Sequence, residues 1–321
     1  APALNATGTG LATPRPGAPR GDHARMPRLS MMAPIISTRD LTIRFGGHVA
    51  VDHVTLDIAP AALKSIIGPN GAGKTTFFNL LSGQYRPTEG RVFFKGEDVT
   101  RLSAASRTRR GIGRSFQLTN IFPTLTVLEN VRIAVQARRA PGFNAWRHYR
   151  SLPELEDRAY AILETVLLES RWSAVASELA HGEKRKLEIG ILLALEPEVL
   201  LLDEPTAGMS LEEVPIIIEL IEGIRARRDT TILLVEHKID MILALSDSVA
   251  VLKDGRLLAD GSPEAISRNP EVQAAYFGGG IAGSSVERTA SAQAVRSPSR
   301  NSLMHVGGDY HSVAGTGITS K

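Results

Sequence analysis

The chain has 321 residues, 43% hydrophobic and 22% charged, with a formal net charge of +3, an ordinary globular composition with enough length to bury a large core. It has no cysteine, which excludes disulfides, thiol catalysis and Cys-ligated metal, and no apolar stretch near the ~20 residues of a membrane-spanning helix. The charge excess sits at the ends, +3 in residues 1–33 and +2 in residues 279–321 against −2 for the remainder, so no concentrated basic face points to nucleic acid.

Residues 1–33 are rich in Pro, Gly, Ala and Arg, and residues 279–321 in Ser and Gly. Neither has an apolar period, so both are expected to be disordered extensions around a folded body at 34–278. Met26, Met31 and Met32 are candidate start residues. The body opens with the alternating runs IISTRDLTI (35–43) and VAVDHVTLDI (49–58), followed later by RVFFKG (91–96); these predict strands joined by turns. LKSII (63–67), VLLLD (199–203) and TILLV (231–235) are short and uninterrupted, the pattern of buried parallel strands. SVAVL (248–252) is a candidate fourth. A helical period marks an insert at about 118–190, where Ala159, Ile162, Leu163, Val166 and Leu167 of EDRAYAILETVLL fall on one face.

Between the first buried strand and a helical run stands Gly68-Pro69-Asn70-Gly71-Ala72-Gly73-Lys74-Thr75, followed by Thr76. This is the G-x-x-x-x-G-K-[ST] pattern in its required strand-to-helix context. Small residues let consecutive N–H groups curl around phosphate oxygens at the positive end of the helix. Lys74 is placed to reach the β- and γ-phosphates, and the Thr75 hydroxyl to ligate Mg²⁺. The second buried strand ends in Asp203 and Glu204. An aspartate at such a strand end holds the Mg²⁺ shell, and the following glutamate is a candidate general base for an attacking water. Gln117 ends GIGRSFQ, His237 follows the strand at 231–235, and Phe45 precedes a Gly-Gly pair. Taken singly, each of these three has an ordinary structural alternative; their order around the two strong motifs gives them weight.

The order Phe45, GPNGAGKT, Gln117, LAHGE, LLLDE, His237 resembles that of ABC transporter ATP-binding subunits across nearly all of 34–278. The resemblance implies an α/β phosphate-loop ATPase with an antiparallel β subdomain and a helical insert, using ATP and Mg²⁺. It also implies that Phe45 stacks on adenine, Gln117 links the Mg²⁺ and water region to a membrane subunit, Glu204 polarises water, and His237 steadies the γ-phosphate. Leu179, Ala180, His181, Gly182 and Glu183 stand where that family has LSGGQ. There the helix start faces the γ-phosphate held by a second ATP-binding subunit, identical or different. Ala180 lacks the hydroxyl of the family serine, His181 replaces a glycine and Glu183 a glutamine, while the helix dipole and the Gly182 backbone remain. In AGMS (207–210), Ser210 stands where aspartate is frequent. With Glu213 it resembles a capping box, and Pro215, just past that helix's first turn, predicts a bend.

RSFQLTNIFPTLTVLENV, LAHGEKRKLEIG, LLLDEPTAGMS and GSPEAISRNPEVQAAYFG are similar to the corresponding stretches of importers for branched-chain amino acids; related urea importers are the alternative. That likeness implies two transmembrane permease subunits, an extracytoplasmic solute-binding protein and a place at the cytoplasmic face of the cell membrane. Phe122, Leu125 and Trp146 of the insert are candidates for the permease contact, with core packing as the alternative. The rival class is a soluble ABC-type ATPase acting on DNA or ribosomes. It would call for long coiled coils between the motifs or a second phosphate loop, and this chain has neither.

Overall fold

The computed structural model describes residues 33–115, 121–139 and 153–276. Gln117, Trp146 and nearly all of the expected terminal extensions lie outside these residues. Contacts divide the chain into two compact units, Ala1–Ile266 and Ser267–Lys321. In the second, Asn269 Oδ1 accepts from the N–H groups of Glu271 and Val272, capping a short helix at Pro270–Tyr276.

The first unit holds two sheets. β1 (Ile36–Phe45), β2 (His48–Ile58), β4 (Glu89–Phe94) and the two-residue β5 (Glu97–Asp98) form an antiparallel sheet in the order β2-β1-β4-β5. The second sheet runs β10-β9-β3-β8-β7-β6. It comprises β3 (Leu63–Ile67), β6 (Ile112–Arg114), β7 (Val199–Asp203), β8 (Thr231–Val235), β9 (Ser248–Lys253) and β10 (Arg256–Gly261). All its pairings are parallel except β9 with β10. Every residue of β3, β7 and β8 is buried, as uninterrupted apolar runs require when both faces are covered.

The strand period of two separates the cores on those faces. Leu200 and Leu202 of β7 pack with α3 (Val127–Arg139), α4 (Pro153–Thr165), α5 (His181–Ala194) and α6 (Val214–Ala226). Val199 and Leu201 face the opposite core with Phe77 and Phe78 of α1 (Lys74–Ser82) and the antiparallel sheet. Each such side chain contributes roughly 1.5–3 kcal/mol by burial. α1 ends against Arg107 of α2 (Ala104–Arg110), whose guanidinium donates to the carbonyls of Leu80 and Leu81, both at 2.7 Å, and of Thr100 at 3.0 Å.

Two sequence expectations are corrected. Leu167 does not continue the buried face of α4: the helix ends at Thr165, and Leu167 has φ +56° and is exposed, while Leu168 is buried in its place. Pro215 does not lie past the first turn: α6 begins at Val214 and the proline falls in its first positions, where no intrahelical N–H bond is lost and no bend is required. Among the elements missed in sequence, β5, β6, β10 and α2 are short or polar.

Candidate functional site

β3, β8 and β7 are neighbours, and their register pairs Ile66 with Val235 and Val235 with Asp203. Three strand ends therefore open on one edge, where ligands of such sheets bind. At the first, the chain turns tightly from Ile67 into α1. A Cβ on Gly68 would sit 2.2 Å from the Leu252 carbonyl oxygen, and one on Gly73 (φ +94°) 2.3 Å from that of Ala50. Only glycine lets the loop lie this close to β9 and β2. Gly73 caps α1 without a side chain, and no acidic residue occupies the first turn, so the terminal N–H donors are left for an anion. Ala72 is buried and its N–H bonds the Pro69 carbonyl at 3.1 Å; Asn70 and Gly71 are exposed, and Thr75 and Thr76 half-buried.

The Lys74 ammonium is buried and donates to the Gly68 and Pro69 carbonyls at 2.8 and 3.1 Å. Burial pushes its pKa down, opposed by the carboxylates of Glu204 and Asp203. It is thus a cation on neutral acceptors, which phosphate oxygens would replace with charged ones.

Asp203, at the end of β7, is fully buried. Its N–H donates to Ser115 Oγ at 3.1 Å and its Oδ2 accepts from Arg114 Nη2 at 3.1 Å. Burial raises its pKa, with Arg114 opposing. Its Oδ1 has no hydrogen-bond partner among the described residues, an uncompensated position for a buried carboxylate. An orphaned carboxylate oxygen with a threonine hydroxyl on α1 is the hard-oxygen donor set of Mg²⁺, which takes one or two protein ligands and completes its shell with water and phosphate. The described residues hold no cluster of three or more His, Cys, Asp or Glu that would form an all-protein cage. The residues fit Mg²⁺.

Glu204 leaves β7 with φ +49°. Its N–H is fixed on the Val235 carbonyl at 2.8 Å and its own carbonyl accepts from Arg185 at 3.1 Å. The carboxylate, partly open to solvent, lies 2.8 Å from His237 Nε2. Glu236, buried between them in sequence, accepts from the N–H groups of Thr206 and His237, both at 2.9 Å. Sequence reasoning passed over it because a single glutamate beside a histidine carries no pattern.

α5 begins at His181, with Ala180 before it. Ala180 has no side-chain acceptor, but Glu183 reaches back to its N–H at 3.0 Å. The Leu179 side chain is buried in the core, His181 is exposed, and the Gly182 N–H donates to Glu213 Oε1 at 3.2 Å. Arg185 ties this helix to the turn after β7 through the carbonyls of Asp203, Glu204 and Pro205. The expected capping box does not form at the start of α6, whose N-cap is Glu213 with no side-chain cap bond; instead Glu213 Oε2 accepts the Ser210 N–H at 3.0 Å, while its other oxygen serves α5.

Phe45, at the end of β1, is 47% exposed and meets Tyr85 edge-on with ring centres 5.4 Å apart. Phe122 is 52% exposed and Leu125 partly buried. Buried Asn130 brackets their loop, accepting from the Phe122 N–H at 2.7 Å and donating to the Phe122 and Thr126 carbonyls at 3.1 and 2.9 Å. Thr126 and Glu129 close a capping box at the start of α3.

A glycine-lined loop between β3 and α1, with acidic and histidine-bearing strand ends beside it, defines a phosphate-loop nucleoside triphosphatase. A profile of the ABC transporter family matches residues 51–207, and one of branched-chain amino acid ATP-binding cassette transporters matches 256–282. The high-affinity branched-chain amino acid transport ATP-binding protein LivG of Escherichia coli is 39% identical over 258 residues, 77% of this chain and 99% of that protein. Its counterpart BraF of Pseudomonas aeruginosa is 38% identical over 253 residues, with the same coverage of each chain. Among solved structures, the ADP conformation of an ATP-binding cassette of an ABC transporter matches at TM-score 0.67 and 28% identity, covering 77% of this chain and 100% of that one. A dimeric post-hydrolysis cassette bound to ADP and Pi matches at TM-score 0.60 and 26% identity, covering 71% and 98%. The chain belongs to the ABC transporter family, as one of its ATPase subunits.

Proposed function

We propose that this chain powers an importer for branched-chain amino acids from the cytoplasmic face of the membrane. In this reading it pairs with a second ATP-binding subunit and two transmembrane permeases, served by an extracytoplasmic solute-binding protein. The observation that carries the reading is near end-to-end likeness to LivG, joined by the separate branched-chain profile match at 256–282. No helix among the described residues is long and apolar enough to cross a membrane, so membrane attachment is assigned to the permeases. Their contact is assigned to the loop that Asn130 holds, with Phe122 exposed on it, and to Leu125 and Trp146.

The site residues take these roles. Phe45 stacks on adenine, Gly68–Thr76 cradle the phosphates, and Lys74 exchanges its loop carbonyls for β- and γ-oxygens. Asp203, Thr75 and Gln117 would hold Mg²⁺, which would supply positive charge beside the phosphate oxygens. Glu204, with His237 Nε2 2.8 Å from its carboxylate, takes the proton of the attacking water. The start of α5 and the turn before it, the Leu179 backbone with Ala180, His181, Gly182 and Glu183, face the second subunit's nucleotide.

The test is affinity capture of the tagged chain from detergent-solubilised native membranes, followed by uptake assays on the captured complex in vesicles. Two polytopic membrane proteins and ATP-dependent leucine uptake are expected. Urea uptake instead would move the solute assignment, and capture of ribosomal or DNA-bound proteins without a membrane partner would overturn the importer.

A further inference from the structure

Asp203 enters the site with one oxygen already committed. Arg114, the last residue of β6, reaches it from the neighbouring strand: Nη2 donates to Asp203 Oδ2 at 3.1 Å, and Nη1 donates to Ser82 Oγ at 3.0 Å and to Asn79 Oδ1. Asn79 and Ser82 lie on α1, the helix that carries Lys74 and Thr75. The next residue, Ser115, accepts the Asp203 N–H at 3.1 Å and donates its own N–H to the Leu201 carbonyl at 2.9 Å. The end of β6 therefore grips the end of β7 through both side chain and backbone. A rigid guanidinium presents donors to a strand and a helix at once; a lysine ammonium on a flexible stem does not.

We propose that Arg114 is a positioning residue for the metal: by holding Asp203 through Oδ2 and bracing it against α1, it leaves Oδ1 alone to the cation, at a fixed place relative to Thr75. The proposal rests on the reading of Asp203 as a Mg²⁺ ligand. A competing role, as a counter-charge that must leave before metal binds, does not match the geometry, because Oδ1 is the oxygen that Arg114 leaves without a partner. With the arginine gone, a fully buried carboxylate would lose both its partner charge and its brace.

The probe is Mn²⁺, its affinity measured by electron paramagnetic resonance on the full chain carrying a non-hydrolysable ATP analogue; analogue affinity in the presence of EDTA is the control. Arg114→Met and Arg114→Lys are each expected to weaken Mn²⁺ binding by about 10–100-fold with the EDTA control unchanged. Adding either to Asp203→Asn is expected to cost nothing beyond Asp203→Asn alone. Unchanged or tighter Mn²⁺ binding overturns the proposal, as do losses that multiply in full with Asp203→Asn. If Arg114→Met does not fold, Arg114→Lys, which keeps the charge without the fork, decides. Mn²⁺ binding that ignores Asp203→Asn by itself removes the metal reading of Asp203, and this proposal with it.

Discussion

His237 Nε2 and Glu204 Oε1 lie 2.8 Å apart, although the two residues follow different strands. Glu204 reaches this position with φ +49°, a conformation that costs a glutamate of order 1–3 kcal/mol and persists only where its surroundings enforce it. Here the Val235 carbonyl and Arg185 enforce it. The clamp is on the backbone, and it sets the carboxylate beside an imidazole, as the proposed role of general base requires. Glu204→Gln should lower ATP turnover by about 10²–10⁴-fold while ATP still binds and an ATP-bound dimer accumulates on size exclusion. Wild-type turnover in that variant would remove Glu204 from the chemistry.

If the imidazole acts through the carboxylate, the pair behaves as a unit and its losses do not multiply. His237→Ala should slow phosphate release, and Glu204→Gln with His237→Ala should be no slower than Glu204→Gln alone. A double variant slower by the product of the two single losses would show that His237 acts on its own.

The phosphate loop and the acidic strand end were legible in sequence because each depends on local spacing, and the order of motifs because it is read directly along the chain. The buried strands were legible because full burial leaves no polar interruption. Three kinds of feature were not. Arg114 and Glu236 act through partners 89 and 30 positions away, and a single charged residue announces no such reach. Leu167 satisfies the helical period, but a turn at positive φ carries it out of the core. The proline expectation failed on a register of two or three residues: near a helix start Pro215 is favoured, and only deeper would it bend the helix.

Glu213 joins α5 to the turn after β7 through the N–H groups of Gly182 and Ser210. The Ser210 backbone bond, with help from Gly182 and His181, holds its pKa below the usual 4.5. Between the folded and unfolded values the unfolded chain binds more protons. The carboxylate's contribution is therefore complete above about pH 4.5 and is lost as pH falls through the lowered folded value. Urea midpoints of Glu213→Ala and wild type should differ most at pH 7 and converge in acid. A gap that stays constant down to the lowest pH at which both fold would mean that the carboxylate's charge plays no part.

Arg107 is fully buried, and desolvation lowers its pKa to about 10. It nevertheless remains charged at neutral pH, where it closes the far end of the helix that begins at Lys74. Arg107→Met would leave the Leu80, Leu81 and Thr100 carbonyls without that donor, at about 1–3 kcal/mol for each one left unsatisfied. Thermal unfolding should shift downward by several degrees or more, with ATP affinity of the folded fraction retained. A variant with wild-type stability would mean that water replaces the guanidinium in full.

Asn130 tests whether the exposed Phe122 loop is held for a purpose. Its side chain uses one acceptor and both donors on two residues of that loop, three of the four bonds a buried amide can make. Asn130→Leu keeps the approximate volume and removes all three bonds. The expected result is faster hydrogen exchange at 121–126, about 1–3 kcal/mol of lost stability, and ATP hydrolysis by the isolated subunit near wild type. In the membrane complex, transport per ATP hydrolysed should fall, because at the proposed permease contact a loosened Phe122 would transmit less of the movement. Exchange rates at 121–126 that match wild type would show that Asn130 does not restrain the loop. A loosened loop with unchanged coupling would instead place the permease contact elsewhere on the insert.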